Sequence, residues 1–154
     1  MRALYVYGAR MFFQALYGVQ LNGDAMSKKI AIVDDEVDIC QYLSAVLEDE
    51  GYSVSVISHA GPIVASLLAA KPDLIILDIM MPGVSGLSIY KQLQGNPVFA
   101  STRLAILSGM LADASARDEL EQLAGDLDIK PPDAFISKPV NVKEFLRTVA
   151  ILLS

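Results

Sequence analysis

Leu74-Ile75-Ile76-Leu77-Asp78-Ile79-Met80-Met81-Pro82-Gly83 is the stretch that decides the reading of this chain. Four consecutive apolar residues, closed by an acid and then by a turn signal, read as a strand buried on both faces. Asp78 therefore stands where a buried strand emerges into a loop. In an open parallel sheet, that carboxyl-end edge is where ligands and chemistry collect. One aspartate there reads equally well as a helix cap. A second strand, Lys29 to Val33, delivers Asp34 and Asp35 in the same way.

Outward from this stretch, strand and helix alternate five times. Helices are expected over Val37 to Glu50, Gly61 to Ala70, Ser85 to Gln94, Ala112 to Ala124 and Asn141 to Leu152. The other strands are expected at Tyr52 to Ile57, Arg103 to Leu107 and Ala134 to Ser137. Gly51 stops the first helix, Pro62 suits the first turn of the second, and Asn141 with Glu144 starts the last in a capping-box pattern. Gly125 to Pro132 reads as an extended connection. Strict alternation implies parallel strands with right-handed crossovers. The expected fold class is α/β, a doubly wound three-layer sandwich around a five-stranded parallel sheet.

The chain has 154 residues, of which 53% are apolar and 19% charged, which fits one folded domain with a real core. The net charge is −6; residues 1–26 carry +1 through Arg2, Arg10 and Asp24, leaving −7 on the remainder. That balance argues against nucleic acid as a direct partner, because phosphate contacts need clustered Lys and Arg. Cys40 and His59 are the only residues of their types. They exclude an internal disulfide and a zinc site of the usual kind, and weigh against a Ser-His or Cys-His catalytic pair. Cys40 falls on the apolar side of its helix and reads as core.

The first 21 residues are almost wholly apolar or aromatic. Their uninterrupted part, Met11 to Leu21, is too short to span a bilayer; it has the length of a signal-peptide core, but its cationic leader is weak and no small-residue cleavage site is convincing. Met26-Ser27-Lys28-Lys29 reads as a natural start, which makes the leader an upstream start or an appended remnant. An added helix that packs on the domain or drives homo-oligomerisation is the second reading, because its apolar surface needs a cover. A membrane-surface helix is the third, disfavoured by a polar face poor in Lys and Arg. The expected division is an apolar extension over residues 1–27 and a single domain over 28–154, with no membrane span.

Four strand ends line up on one edge. They carry Asp34 and Asp35, then Asp78, then Ser108 with Gly109, then Lys138 with Pro139. Clustered carboxylates repel unless a cation neutralises them. Hard oxygen ligands with an incomplete shell suit Mg²⁺, which usually completes its sphere with water and phosphate. A lysine and a hydroxyl nearby suit the outer oxygens of a phosphoryl group. A carboxylate can itself be the nucleophile and become an acyl phosphate. Asp78 is the best placed for that role. Taken singly, Asp34 and Asp35 remain helix N-caps, Ser108 a turn residue, Lys138 a surface lysine and Phe135 core.

Asp34-Asp35-Glu36, the run Leu77 to Gly86, Leu107-Ser108-Gly109 and Ser137-Lys138-Pro139 together resemble the receiver domain of bacterial two-component response regulators. The motifs occur in the family's order, 43 positions from Asp35 to Asp78 and 30 from Asp78 to Ser108. The resemblance implies a flavodoxin-like sheet of order 2-1-3-4-5, like that of the stand-alone chemotaxis regulators. It implies Asp78 as the phosphoacceptor, and Mg²⁺ held by Asp34, Asp35, Asp78 and the backbone carbonyl of Met80. Lys138 would pair with a phosphoryl oxygen. Ser108 would hydrogen-bond the phosphoryl group, and Phe135 would turn inward as Ser108 moves. Met80 and Met110 would border the attacking water and lengthen the phosphorylated lifetime.

The expected partners are a sensor histidine kinase or histidine phosphotransfer protein upstream and a protein target downstream. The expected location is the cytoplasm. The chain ends just after the last helix, so a stand-alone receiver acting through protein contact is expected, not an enzyme on other substrates. A fragment cut from a longer regulator or hybrid kinase stays open beside the stand-alone reading, as do two other functional classes. An aspartyl-phosphate phosphatase or phosphotransferase would carry a second acid two residues after the nucleophile, where Met80 stands. A pseudo-receiver that only binds partners would not need Asp35, Asp78, Ser108 and Lys138 together. Ser108 and Lys138 are 30 positions apart, longer than the family pattern by roughly two helical turns, with the surplus expected in Leu120 to Pro132.

Overall fold

The computed structural model describes residues 27–109 and 114–154. The apolar leader and Met110 lie outside the described residues. In chain order the elements are β1 (Lys29–Val33), α1 (Val37–Asp49), β2 (Ser53–Ile57), α2 (Ile63–Ala70), β3 (Leu74–Asp78), β4 (Met80–Met81), β5 (Val84–Ser85), α3 (Gly86–Gln94), β6 (Arg103–Ser108), α4 (Ala114–Asp126), β7 (Ala134–Ser137) and α5 (Val142–Leu152). Five strands form one parallel sheet in the order β2-β1-β3-β6-β7. This is the expected doubly wound order, with β3 at its centre.

The alternation of side chains along each strand builds two cores, one on either face of the sheet. Ile30, Ile32, Leu74, Ile76, Ala105 and Leu107 pack on Cys40, Leu43 and Leu47 of α1 and on Phe145 and Val149 of α5. Ala31, Val33, Ile75, Leu77, Leu104 and Ile106 pack on Ile63 and Leu67 of α2 and on Ile89, Tyr90 and Leu93 of α3. The helical partners recur at three- and four-residue spacing, which is the stripe an amphipathic helix presents. All five residues of β3 are buried, the last of them Asp78. Its four apolar side chains contribute about 2 kcal/mol each on burial, enough to offset a cost of several kcal/mol for a buried carboxylate.

Several element ends differ from the sequence reading, each for a local reason. Ser85 is the N-cap of α3, its side chain accepting from the Ser88 N–H, and Pro62 is the N-cap of α2. Asn141 caps α5 by accepting from the Glu144 N–H at 3.2 Å. The turn after Asp78 is a small antiparallel ribbon of β4 and β5, reversed at Gly83, whose φ of +71° favours glycine. The stretch from Gly125 to Pro132 is not wholly extended. Helix α4 runs on to Asp126, and Ile129 N–H then donates back to the Ala124 carbonyl at 3.0 Å. Leu120 and Ile129 pack on the core, Tyr90 Oη donates to the Lys130 carbonyl, and Asp133 accepts from the Leu104 N–H at 2.8 Å. The surplus residues are thus tied to the sheet. Among the described residues, no helix is long and apolar enough to cross a membrane.

Candidate functional site

The sheet delivers four polar residues to its carboxyl-end edge. Asp34 follows β1 directly, Asp78 and Ser108 end β3 and β6, and Lys138 follows β7. Asp34 is 4% exposed, Asp78 2% and Ser108 0%. Asp34, Asp78 and Lys138 continue the strand positions that face α1 and α5, whereas Ser108 and Phe135 continue the positions facing α2 and α3. Acids and lysine therefore converge on one side of the edge. Lys138 Nζ lies 2.8 Å from Asp34 Oδ2, 2.9 Å from Asp78 Oδ2 and 2.6 Å from Glu36 Oε1.

Backbone groups orient the acids. Asp78 Oδ1 accepts from the Met80 N–H at 2.7 Å, and Asp34 Oδ1 from the Glu36 N–H at 2.9 Å. Neither Asp34 nor Asp35 is the N-cap of α1; that position is Glu36, whose side chain makes no cap bond. Gly86 lets α3 start against the strand end. A Cβ there would lie 2.3 Å from Ile79 Cα and 2.8 Å from the Asp78 carbonyl oxygen. Lys138 is mostly buried, not a surface lysine, and its N–H donates to the Ser108 carbonyl at 3.2 Å.

Electrostatically the cluster is short of positive charge. Burial pushes the Asp34 carboxyl above its usual value, and the Asp78 charge adds to this, against hydrogen bonds from Lys138 and the Glu36 N–H. Burial works against the Lys138 ammonium, but the carboxylates of Asp34, Glu36 and Asp78 outweigh it and hold the group above the ordinary lysine range. Both shifts favour added positive charge. Carboxylate oxygens of Asp34, Asp35 and Asp78 can all lie within 4.8 Å of one another. Asp34 Oδ2 is buried and, despite its ion pair, accepts no well-directed hydrogen bond. An all-oxygen, electron-rich cluster with such an orphan fits a hard divalent cation.

The remaining candidates lie around this centre. The Met80 side chain is 57% exposed beside Asp78. Phe135 is half-buried, sits opposite Ile106, and packs on the core facing α2 and α3. It also lines a cavity of about 150 Å³ with Arg117, Ser137 and Glu144. Cys40 is buried, and burial together with the Asp34 charge pushes its thiol up to about 11, as suits a core residue. Two residues had no role assigned from sequence. Gly86 was visible within the motif, but its need follows only from the approach of α3. Glu36 lies next to the paired acids, and nothing local shows that it reaches a lysine 102 positions away.

Comparison with known proteins agrees with this architecture. A family model of the response regulator receiver domain matches residues 30–150. The response regulator MprA of Mycobacterium tuberculosis is 33% identical over 129 residues, which is 83% of this chain and 51% of MprA. The response regulator ArlR of Staphylococcus saprophyticus is 31% identical over 125 residues, 81% of this chain and 52% of ArlR. The chain thus spans about half the length of the curated relatives it matches. The structure of the chemotaxis response regulator CheY4 of Vibrio cholerae superposes with a TM-score of 0.71 at 24% identity, covering 83% of this chain and all of that one, which speaks to the fold. From the family match, the sheet order and the spacing of its strand-end residues, the chain belongs to the response regulator receiver domain family.

Proposed function

We propose that the chain accepts a phosphoryl group on Asp78 from the phosphohistidine of a sensor histidine kinase or histidine phosphotransfer protein. The observation that supports this best is the bridge of Lys138 Nζ to both Asp34 Oδ2 and Asp78 Oδ2 at a buried strand edge. An Asp78 carboxylate oxygen attacks phosphorus, the P–N bond breaks, and its electron pair leaves on the imidazole nitrogen, which takes up a proton from solvent. Lys138 follows the new charge onto a phosphoryl oxygen, and the Ser108 hydroxyl donates to another. Mg²⁺ would be held by Asp34, Asp35, Asp78 and the Met80 carbonyl, and would neutralise charge on the transferring group. Water then attacks phosphorus, releases inorganic phosphate and restores Asp78. The chain thus acts only on itself and is not an enzyme for other substrates.

Phosphorylation adds charge and acceptor oxygens at this edge and shifts the population of an active state through Ser108 and Phe135. The signal passes to a downstream protein by contact. A cytoplasmic location belongs to the same reading. The test is incubation with acetyl phosphate and Mg²⁺, followed by intact-mass measurement. One added phosphoryl group is expected, lost in Asp78→Asn and with chelator. No adduct on the unmodified chain would favour a receiver-like domain that only binds partners.

A further inference from the structure

Lys138 is held by three carboxylates, and the shortest of the three contacts goes to Glu36. Glu36 lies outside the acidic trio that fits a cation. The ammonium donates to Glu36 Oε1 and Asp78 Oδ2 and lies 2.8 Å from Asp34 Oδ2, so carboxylates enclose it. A phosphoryl group arriving at Asp78 draws Lys138 away from one of them. The side chains of Asp34 and Asp78 are 0% and 3% exposed, whereas that of Glu36 is 54% exposed. A buried carboxylate stripped of its partner costs several kcal/mol. An exposed one is rehydrated at little cost. Glu36 is the partner that can let go.

We propose that Glu36 is a positioning residue that holds Lys138 in a waiting state and hands it to the incoming phosphoryl group. Glu36 also sets a negative charge at the exposed lip that an anionic phosphodonor must cross. It thereby restrains capture of the donor without touching the transfer itself. This rests on phosphoryl acceptance at Asp78, and the experiment separates the two.

Phosphorylation rates are measured by mass against acetyl phosphate concentration, with saturating Mg²⁺, for the unmodified chain, Glu36→Gln and Glu48→Gln. Glu48 is an exposed acid of α1 and controls for net charge. Glu36→Gln is expected to lower the half-saturating donor concentration on the order of fivefold, leave the maximal rate unchanged, and lose that advantage at high salt. Glu48→Gln should match the unmodified chain. In the metal-free protein, ¹⁵N spectra should show the Lys138 ammonium exchanging with water faster in Glu36→Gln. An unchanged half-saturation and exchange rate, an effect on maximal rate alone, or an equal effect of Glu48→Gln would overturn the proposal. If even the unmodified chain gains no phosphoryl group, the reading of Asp78 fails, while the ammonium exchange still tests the hold of Glu36 on Lys138.

Discussion

Lys138 Nζ donates to Asp78 Oδ2 at 2.9 Å, although 60 positions separate the two residues in the chain. Removing the lysine leaves Asp34 and Asp78 buried without their counter-charge. Lys138→Ala should lose about 1–3 kcal/mol of stability without metal. Added Mg²⁺ should restore more of that loss than it adds to the unmodified chain, because a cation then takes over the neutralisation. Urea denaturation with and without Mg²⁺ measures both effects.

Metal binding has its own thermodynamic signature. At a Mg²⁺ concentration a hundred times its Kd, the chain should gain about 2.7 kcal/mol of stability. Asp35→Asn should remove most of that gain, since Asp35 is one of the three clustered acids and the least buried of them. Thermal denaturation across a Mg²⁺ titration provides the check; an undiminished shift in the variant would count against the assigned ligand set.

Gly86→Ala should be costly for steric reasons. Its Cβ would press on Ile79 Cα and the Asp78 carbonyl, both backbone atoms that cannot rotate away. A loss of about 1–3 kcal/mol is expected, with slower phosphoryl acceptance because the strand end carrying Asp78 must shift. Denaturation midpoints and adduct formation would be read together.

Asp133 gives a pH prediction outside the candidate site. Burial alone would raise its pKa, but Lys130, the Leu104 N–H and Arg103 together hold it below the ordinary value of 3.8. A carboxyl depressed in the folded state stabilises fully above its unfolded pKa and loses that contribution as pH falls through the folded pKa. Its two cationic partners are about half exposed, so the contribution is on the order of 1 kcal/mol. Asp133→Asn should be less stable than the unmodified chain at neutral pH, with the gap closing below about pH 4. A gap that stays constant well below that pH would refute the assignment.

Met80 stands exposed two residues after Asp78, an apolar side chain that would guard a phosphoryl group there. Met80→Asn should shorten the phosphorylated half-life by admitting and orienting water. The decay of the mass adduct after removal of donor reads this directly, and an unchanged half-life would mean that Met80 does not guard the phosphoryl group.

The sequence by itself determined the doubly wound sheet and the edge at which polar residues collect. Leu74 to Leu77 is legible because burial on both faces demands an unbroken apolar run, and Asp78 because it interrupts that run at a turn. The helix stripes of α1 and α5 are legible because their spacing repeats every three or four residues. These signals are local, so a chain read in one dimension displays them.

Tertiary structure alone decided which acids share Lys138. Asp34 and Asp35 look equivalent in the sequence, yet Asp34 is buried against the lysine and Asp35 is only half-buried. Glu36, which looks like a surface residue at a helix start, makes the shortest contact. The same holds for the long segment before Phe135, which is packed through Leu120, Ile129 and Asp133 and not left loose. Such pairings join residues from distant strands, and their distances are set by sheet order and register. Spacing along the chain carries no record of them.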